Sequence, residues 1–431
     1  MPRAWVCFPG APYTHNAALK AAKRVLGSDW DIEDAQSHPP INSDSTPKHV
    51  DAYIADYDLL PFEVLLGSSS ISSSYMIRKA LIRKHYLANA IHSFHVKHPD
   101  FVPKVPKTWM LDIQFADELD EMLADDLFDL RDELERNETT NKKTWFILKP
   151  GMADQAHGIR LFSSVPELVR IFEEMEEPED EEEDADAQAE HGMASQLRFF
   201  VIQEYMARPL LVCPSDPEAP PRKFHLRVYV ICVGGLQVYL HDDMLALFSS
   251  YAYTEPTGHV TDLRGHLSNT CYGKRHSSNT ATEEGNVFTW RDLLGKRACL
   301  PGKDSIPLTE AHIHCIHQSA VRTIGEVFQA VAQEGSVHWQ MWPNAFEIFG
   351  VDLLVDCEEG GDVRDPSSLR TWLLEINAQP DFQQSGPELK EIVEHVFERA
   401  LELGVLHQGP WPVGQSVRRC TCCYAQDRIR T

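Results

Sequence analysis

Apolar and polar positions along this chain follow two periods, and the switches between them mark its elements. Trp5 to Phe8 is a short apolar run and predicts a first strand. Pro12 to Leu26 reads as a helix ended by Gly27. Ile54 to Phe62 opens a second layer, and the Ser-rich stretch from Ser68 to Ser74 reads as a domain boundary. Tyr75 to His98, free of Gly and Pro, predicts one long helix, and Asp117 to Glu135 an acidic one. Strands follow at Trp145 to Leu148, Ile159 to Phe162 and Arg198 to Tyr205, with a helix from Pro166 to Glu174. Phe224 to Val233 and Leu236 to Leu240 flank Gly234-Gly235, a hairpin signal. Ala311 to Glu334 predicts a long helix and Pro387 to Gly404 a last one.

Two late segments carry polar residues inside strand-like patterns. Phe346 to Val355 and Trp372 to Asn377 are short, β-branched and aromatic, as buried strands are. Asp352 interrupts the first. In the second, strict alternation puts Trp372, Leu374 and Ile376 on one face and Glu375 and Asn377 on the other. A carboxylate facing a carboxylate plus an amide is an oxygen-rich cradle for Mg²⁺. That ion prefers a few carboxylate oxygens plus nucleotide phosphates. The chain therefore reads as an ATP user.

Other segments fit that chemistry. Lys149 precedes a loop, Met152 to Gly158, between two strands. Such a hairpin covers phosphates, with the Lys neutralising charge and small residues admitting backbone N–H groups. It is not a Walker A loop, since no Gly-x-x-x-x-Gly-Lys-Ser/Thr run exists. The strand ending Gln203-Glu204-Tyr205-Met206 suits adenine, through backbone edges and apolar side chains. Lys223, His225 and Arg227 share one strand face, which is expensive in a core and natural against phosphates.

Composition narrows the picture. The 431 residues hold two or three domains with ordinary hydrophobic and charged fractions. Net charge is −25, and the run Glu173 to Glu190 supplies 12 acidic residues and no basic one. That run cannot bury enough apolar surface to order itself and reads as a disordered insertion over about 173–196. The acidity argues against general nucleic-acid binding. No apolar run approaches the ~18 residues of a membrane span, and the first residues do not resemble a secretory signal. A cytoplasmic or nuclear protein with reduced thiols is expected. His85, His92, His95 and His98, and likewise His312, His314 and His317, read as helix-surface residues. Cys420, Cys422 and Cys423 lie in a tail that reads as unstructured, with palmitoylation or metal capture as alternatives.

Taken in order, the Lys149 loop, Gln203 to Met206, Lys223-x-x-x-Arg227, His266-Leu267-Ser268-Asn269, Asp352 and Glu375-Ile376-Asn377 resemble the tubulin-tyrosine ligase family of ATP-grasp ligases. The resemblance runs from about Tyr75 to about Ser385, and the segment Ser74 to Lys84 looks like the fungal, P-body-associated branch. It implies an α/β, ATP-grasp fold with a small N-terminal α/β domain. The expected division is 1–74, 75–204, 205–409 and a tail at 410–431. It implies ATP and Mg²⁺ as cofactors, with Asp352, Glu375 and Asn377 on the metal. Lys79, Lys149, His157, Gly158, Gln203, Glu204, Tyr205, Met206, Lys223, His225, Ser268 and Asn269 would contact nucleotide. Arg227, Lys223 and Asn269 would act at the transferred phosphate. The implied partners are a free amino acid and a peptide or protein carboxylate, tubulin by default, in the cytoplasm or P-bodies. Three departures stand out. His225 replaces an Asp, His157-Gly158 replaces Arg-Gly, and Ala246 falls where the family carries an Arg near the transferred phosphate.

Overall fold

A computed structural model describes the chain apart from residues 36–48, 102, 114, 116, 141, 151–157, 177–198, 216–217, 259, 261, 269–285, 381, 383–388 and 427–431. The first sheet is parallel. Its strands are β1 (Arg3–Cys7), β2 (Asp31–Asp34), β3 (Ala52–Ala55) and β4 (Ile71–Ser72), in the order β2-β1-β3-β4. Helix α1 (Pro12–Val25) links β1 to β2, starting on Pro12 and ending on Lys23 and Arg24, which suit its two poles. Helix α2 (Phe62–Leu66) precedes β4.

Helices α3 (Lys79–Ile82) and α4 (Lys84–Lys97) lead into an antiparallel sheet. It contains β5 (Thr108–Asp112), β6 (Trp145–Pro150), β7 (Arg160–Phe162) and β8 (Phe199–Tyr205), ordered β5-β8-β6-β7. Helices α5 (Glu118–Ala124), α6 (Phe128–Thr139) and α7 (Val165–Glu176) supply leucines and aromatics to the core on one face. The other face looks across a cleft at the third sheet.

That sheet has β9 (Leu211–Val212), β10 (Arg222–Val233), β11 (Gln237–His241), β12 (Leu245–Phe248), β13 (Val287–Thr289), β14 (Arg297–Cys299) and β15 (Ile306–Pro307). It is completed by β16 (Phe346–Cys357), β17 (Leu369–Ala378), β18 (Ser416–Val417) and β19 (Cys420–Ala425). The long antiparallel pair β10 and β16 forms its centre. Strand alternation sends Phe224, Leu226, Val228, Val230 and Cys232 into a core under helix α8 (Glu310–Glu334). Tyr229, Ile231 and Val233 point the other way, into a core shared with α1 and helix α9 (Lys390–Gly404). Ala17, Ala18, Ala21 and Ala22 give α1 a smooth face against α9, and Lys20–Glu394 closes the rim at 3.0 Å.

Four expectations are corrected. The helix from Tyr75 breaks at Arg83, which is extended, and Tyr75 itself is buried with its N–H donated to Glu347. Tertiary contacts override helical propensity there. The acidic helix likewise splits at Asp125. His312 is not on a surface. It is buried, caps Thr309 at the start of α8 and bonds the Val363 carbonyl. The cysteine tail is not unstructured: β19 pairs with β11 and buries Cys420, Cys422 and Cys423. Buried thiols in a strand interior are poor substrates for lipid or metal.

Candidate active site

The cleft lies between the antiparallel sheet and the β10–β16–β17 face. It is lined by Leu81, Lys84, Leu87, Thr108, Lys149, Gln203, Glu375 and Asn377, among others. Each polar side chain arrives on a strand or at the start of a helix.

The metal-ligand candidates depend on a bulge. Asp352 pairs with Glu375 and Gly350 with Asn377, but Leu353 pairs with Leu373, so Leu374 is the extra residue. A one-residue bulge shifts the phase of everything beyond it. Leu373 and Ile376 both enter the α8 core, while Glu375 and Asn377 turn to the cleft. The strict alternation expected for Trp372, Leu374 and Ile376 therefore fails, although Glu375 and Asn377 do face the same way. Asn377 Nδ2 donates to Glu375 Oε1 at 3.2 Å.

Cations converge on these carboxylates. Arg227 donates to both oxygens of Asp352, at 2.5 and 3.1 Å. Lys84 Nζ lies 3.6 Å from Glu375. Burial opposes ionisation of Glu375, but Lys84, Lys149, Asn377 and Arg227 outweigh it and hold its carboxyl at about 2. Burial also opposes charge on Arg227, and Asp352 more than restores it. Lys149 donates to Gln203 Oε1 at 2.7 Å, and Gln203 in turn donates to Thr108 at 3.1 Å. Burial pulls Lys149 down to about 8, against the pull of Glu375. Lys223 falls to about 7 through burial and the nearby Lys149.

A second polar chain runs Lys223, Tyr205, His266. Lys223 donates to the Tyr205 hydroxyl at 2.9 Å, and that hydroxyl lies 2.9 Å from His266 Nδ1. His225 Nδ1 lies 2.6 Å from Ser268 Oγ. Its buried Nε2 is 3.7 Å from Asp352 and makes no hydrogen bond. Burial lowers the His225 pKa, which keeps the ring neutral.

The cleft thus collects Lys149, Gln203, Lys223, His225, Arg227, Ser268, Asp352, Glu375 and Asn377. Tyr205 joins through its hydroxyl. Met206 follows β8, and Gly158 stands just before β7 with a φ of +68°. Glu204 does not face the cleft as an acid: its side chain is felt by Glu133 and Lys107, and its N–H bonds the Lys107 carbonyl. Lys79 is exposed at the start of α3 and does not line the cleft; Lys84 does. The basic stretch was visible in sequence, but which lysine faced inward depended on the break at Arg83. His157 and Asn269 lie outside the described residues. Ala246 also needs correcting. It pairs with Leu226 and is buried in the α8 core. Leu247 lies across from His225 and shares its face. The position facing the site is apolar, one residue from where the resemblance put it.

These residues fit a hard divalent cation held with a polyphosphate. Two carboxylates meet across a strand pair with an amide oxygen beside them, an oxygen set of the kind Mg²⁺ takes. The surrounding lysines and the arginine exceed what the two carboxylates need, and an unbonded buried ring nitrogen faces the same place. The space bounded by Leu81, Lys84, Lys149, Gln203, Glu375 and Asn377 is about 30 Å³.

An antiparallel nucleotide-covering sheet facing a carboxylate-bearing sheet across such a cleft defines an ATP-grasp protein. Residues 77–410 match the Tubulin-tyrosine ligase family, and the chain belongs to it. A probable tubulin–tyrosine ligase of Schizosaccharomyces pombe is 36% identical over 367 residues, covering 82% of each chain. A probable tubulin–tyrosine ligase of Saccharomyces cerevisiae, PBY1, is 33% identical over 90% of this chain, which spans only 49% of that protein. The fold also matches the crystal structure of the C-terminal domain of K. lactis Pby1, described as an ATP-grasp enzyme interacting with the mRNA decapping enzyme Dcp2. The TM-score is 0.66 and the identity 27%, covering 99% of this chain and 100% of that one. More distant relatives include a probable β-tubulin polyglutamylase of Tetrahymena thermophila, 24% identical over 75% of this chain. Among the described residues no helix is long and apolar enough to cross a membrane.

Proposed function

We propose that this protein is an ATP- and Mg²⁺-dependent carboxylate–amine ligase that joins an amino acid to a peptide or protein carboxylate. The observation that carries this reading is the Asp352–Glu375 pair, opposed across β16 and β17 and ringed by Lys84, Lys149, Lys223 and Arg227. Mg²⁺ held by Asp352, Glu375 and Asn377 supplies neutralisation of phosphate charge. Lys149 and Lys223 bind phosphate oxygens. Gln203 and the end of β8 receive the base against Leu81, Leu87 and Val201. Arg227 orients the acceptor carboxylate with its planar fork. An oxygen of that carboxylate attacks the γ-phosphorus and ADP leaves. The neutral amine then attacks the acyl carbon, phosphate leaves with the bonding pair, and the nitrogen's surplus proton passes to that phosphate. Ser268, fixed by His225, stands by the transferred group, and Asn269 is assigned there by family likeness alone.

Relatives named as tubulin ligases make a tubulin tail the first acceptor to try. Such an acceptor is acidic, and so is this chain at −25. The test is acceptor-dependent ADP release from the purified protein with Mg·ATP, a panel of amino acids and peptides, and Glu375→Gln as control. Turnover that needs acceptor and amino acid and disappears in Glu375→Gln is expected. Weakening of Mg·ATP binding should exceed weakening of Mg-free nucleotide binding in that variant.

A second reading has its own support. Asp352 is already saturated by Arg227, and Leu247 puts no cation beside His225. A nucleotide-binding scaffold would look like this, and the Dcp2 link of the K. lactis relative points such a scaffold toward cytoplasmic mRNA granules, or P-bodies. Tight Mg·ATP binding with no ADP release across the whole panel would favour it.

A further inference from the structure

A cavity of about 520 Å³ lies outside the cleft, within the size range of ligand pockets. It opens where β1 and β3 end at their carboxyl termini. From β1 the chain passes to β2 on one side and later to β3 on the other, so this is the switch point of the parallel sheet. Ligands of open parallel sheets bind at such points.

Its body is apolar, and Tyr13, Thr14, Asp56, Ser73 and Gln379 add polar groups. Phe8, Ile54, Phe346, Ile348, Phe382 and Phe397 form the body. Asp56 adds a carboxyl, and Thr14 stands in the first turn of α1; Glu347 also borders the cavity, but its carboxylate is paired with Arg78 and accepts from the Tyr75 N–H. No Lys, Arg or His is among the described lining residues. Burial, with Asp58 nearby, pushes the Asp56 carboxyl up, as expected where no cation compensates. A lining of this kind accepts an apolar side chain with neutral or basic neighbours. An acidic segment is repelled.

The cavity and the cleft share a wall. On β16, Ile348 lines the cavity and Asp352 lies four residues on, with the same facing. That is a span of about 13 Å at roughly 3.3 Å per residue. Gly350 lies between them, and a Cβ there would meet Pro380 Cβ at 2.8 Å and Arg227 Cδ at 3.4 Å. Pro380 belongs to the cavity and Arg227 to the cleft, and both side chains stand over Gly350. Gln379, joining Pro380 to the strand that carries Asn377, holds φ at +48°. A non-glycine residue there is strained, and such strain gathers at working sites.

We propose that this cavity is a specificity pocket for the acceptor peptide: it takes one apolar side chain about four residues from the carboxylate presented to Arg227, within a neutral or basic segment. The identity of the occupant rests on the ligase reading of the cleft. The spacing follows from an extended peptide covering roughly 3.3–3.6 Å per residue.

The probe is a set of fluorescein-labelled peptides of Gly, Ser and Lys ending in a free carboxylate, each with one Phe at zero to seven residues from it. Anisotropy is read without ATP. Affinity should peak near a separation of four and fall about tenfold when Phe becomes Ala, as loss of a buried aromatic predicts. Thr14→Trp, which fills the cavity, should abolish the peak. Asp56→Lys should turn the preference from Lys-flanked to Glu-flanked peptides, and it serves if Thr14→Trp does not fold. A flat dependence on Phe position would overturn the proposal. So would variants without effect, or N-acetylphenylalanine amide binding as tightly as the best peptide. Silence toward ATP alongside an intact peak would sink the ligase reading and leave the pocket standing.

Discussion

Arg227 grips both oxygens of Asp352, and that single contact sets how the site meets a metal. Removing Arg227 leaves a buried carboxylate unpaired, which costs about 3–5 kcal/mol. A divalent cation then has a ligand with no competitor. Arg227→Ala should therefore unfold at lower temperature without Mg²⁺ and recover part of the loss when millimolar Mg²⁺ is added. Wild type should respond far less. Equal responses in a thermal-shift titration would mean that Asp352 is not a metal ligand. The two depressed lysines give a pH signature. With Lys149 at about 8 and Lys223 at about 7, the closed cleft at pH 8 holds partly neutral amines. Phosphate restores their charge, so Mg·ATP binding should take up protons near pH 8 and weaken above it. Calorimetry in buffers of different ionisation enthalpy measures this. Folding runs in the opposite sense. Up to the ordinary value of 10.5 the unfolded chain holds the lysine protons more tightly. Stability from these groups therefore rises with pH between about 7 and 10.5.

Elements explain what the sequence revealed and what it hid. The alternation of β10 was legible because no bulge interrupts its pairing with β9, β12 or β16, so Lys223, His225 and Arg227 emerge on one face. The β17 alternation was misread because Leu374 looks like any strand leucine, and only pairing reveals it as extra. Helix breaks at Arg83 and Asp125 carry no Gly or Pro, so they had no local signal. Lys84 entered the site through that hidden break, and His312 went inward because its imidazole caps Thr309. The bulge makes its own prediction. Deleting Leu374 forces either Glu375 into the α8 core or Leu373 out of it, at a cost of several kcal/mol. Leu374→Ala keeps the bulge and should cost far less. Denaturant titration of both variants decides; equal losses would show that the bulge does not aim Glu375.

At the scale of the molecule, two of the three sheets face each other across a narrow cleft. The part of it beside Lys84 and Glu375 holds about 30 Å³, room for little more than a water. Lys84–Glu375 ties α4 to β17 there, whereas Lys149–Gln203 joins β6 to β8 within one wall. Opening then has to precede binding, and the association rate should level off as ATP is raised in stopped-flow mixing. A rate that stays linear to the highest concentration would mean that the closed cleft admits ATP directly.

β11 pairs with β19, as Tyr239 with Cys422 and His241 with Cys420, and Gly325 of α8 leaves just enough room for the Cys423 carbonyl. On a ribosome, β10 and β11 emerge long before their last neighbour does. Until Cys420 to Ala425 has been translated, the hairpin presents a bare, apolar edge of the kind that recruits other chains. Synthesis therefore passes through a window of vulnerability that lasts until β19 is made. Products stalled before β19 should be clients of chaperones in a way that products carrying it are not.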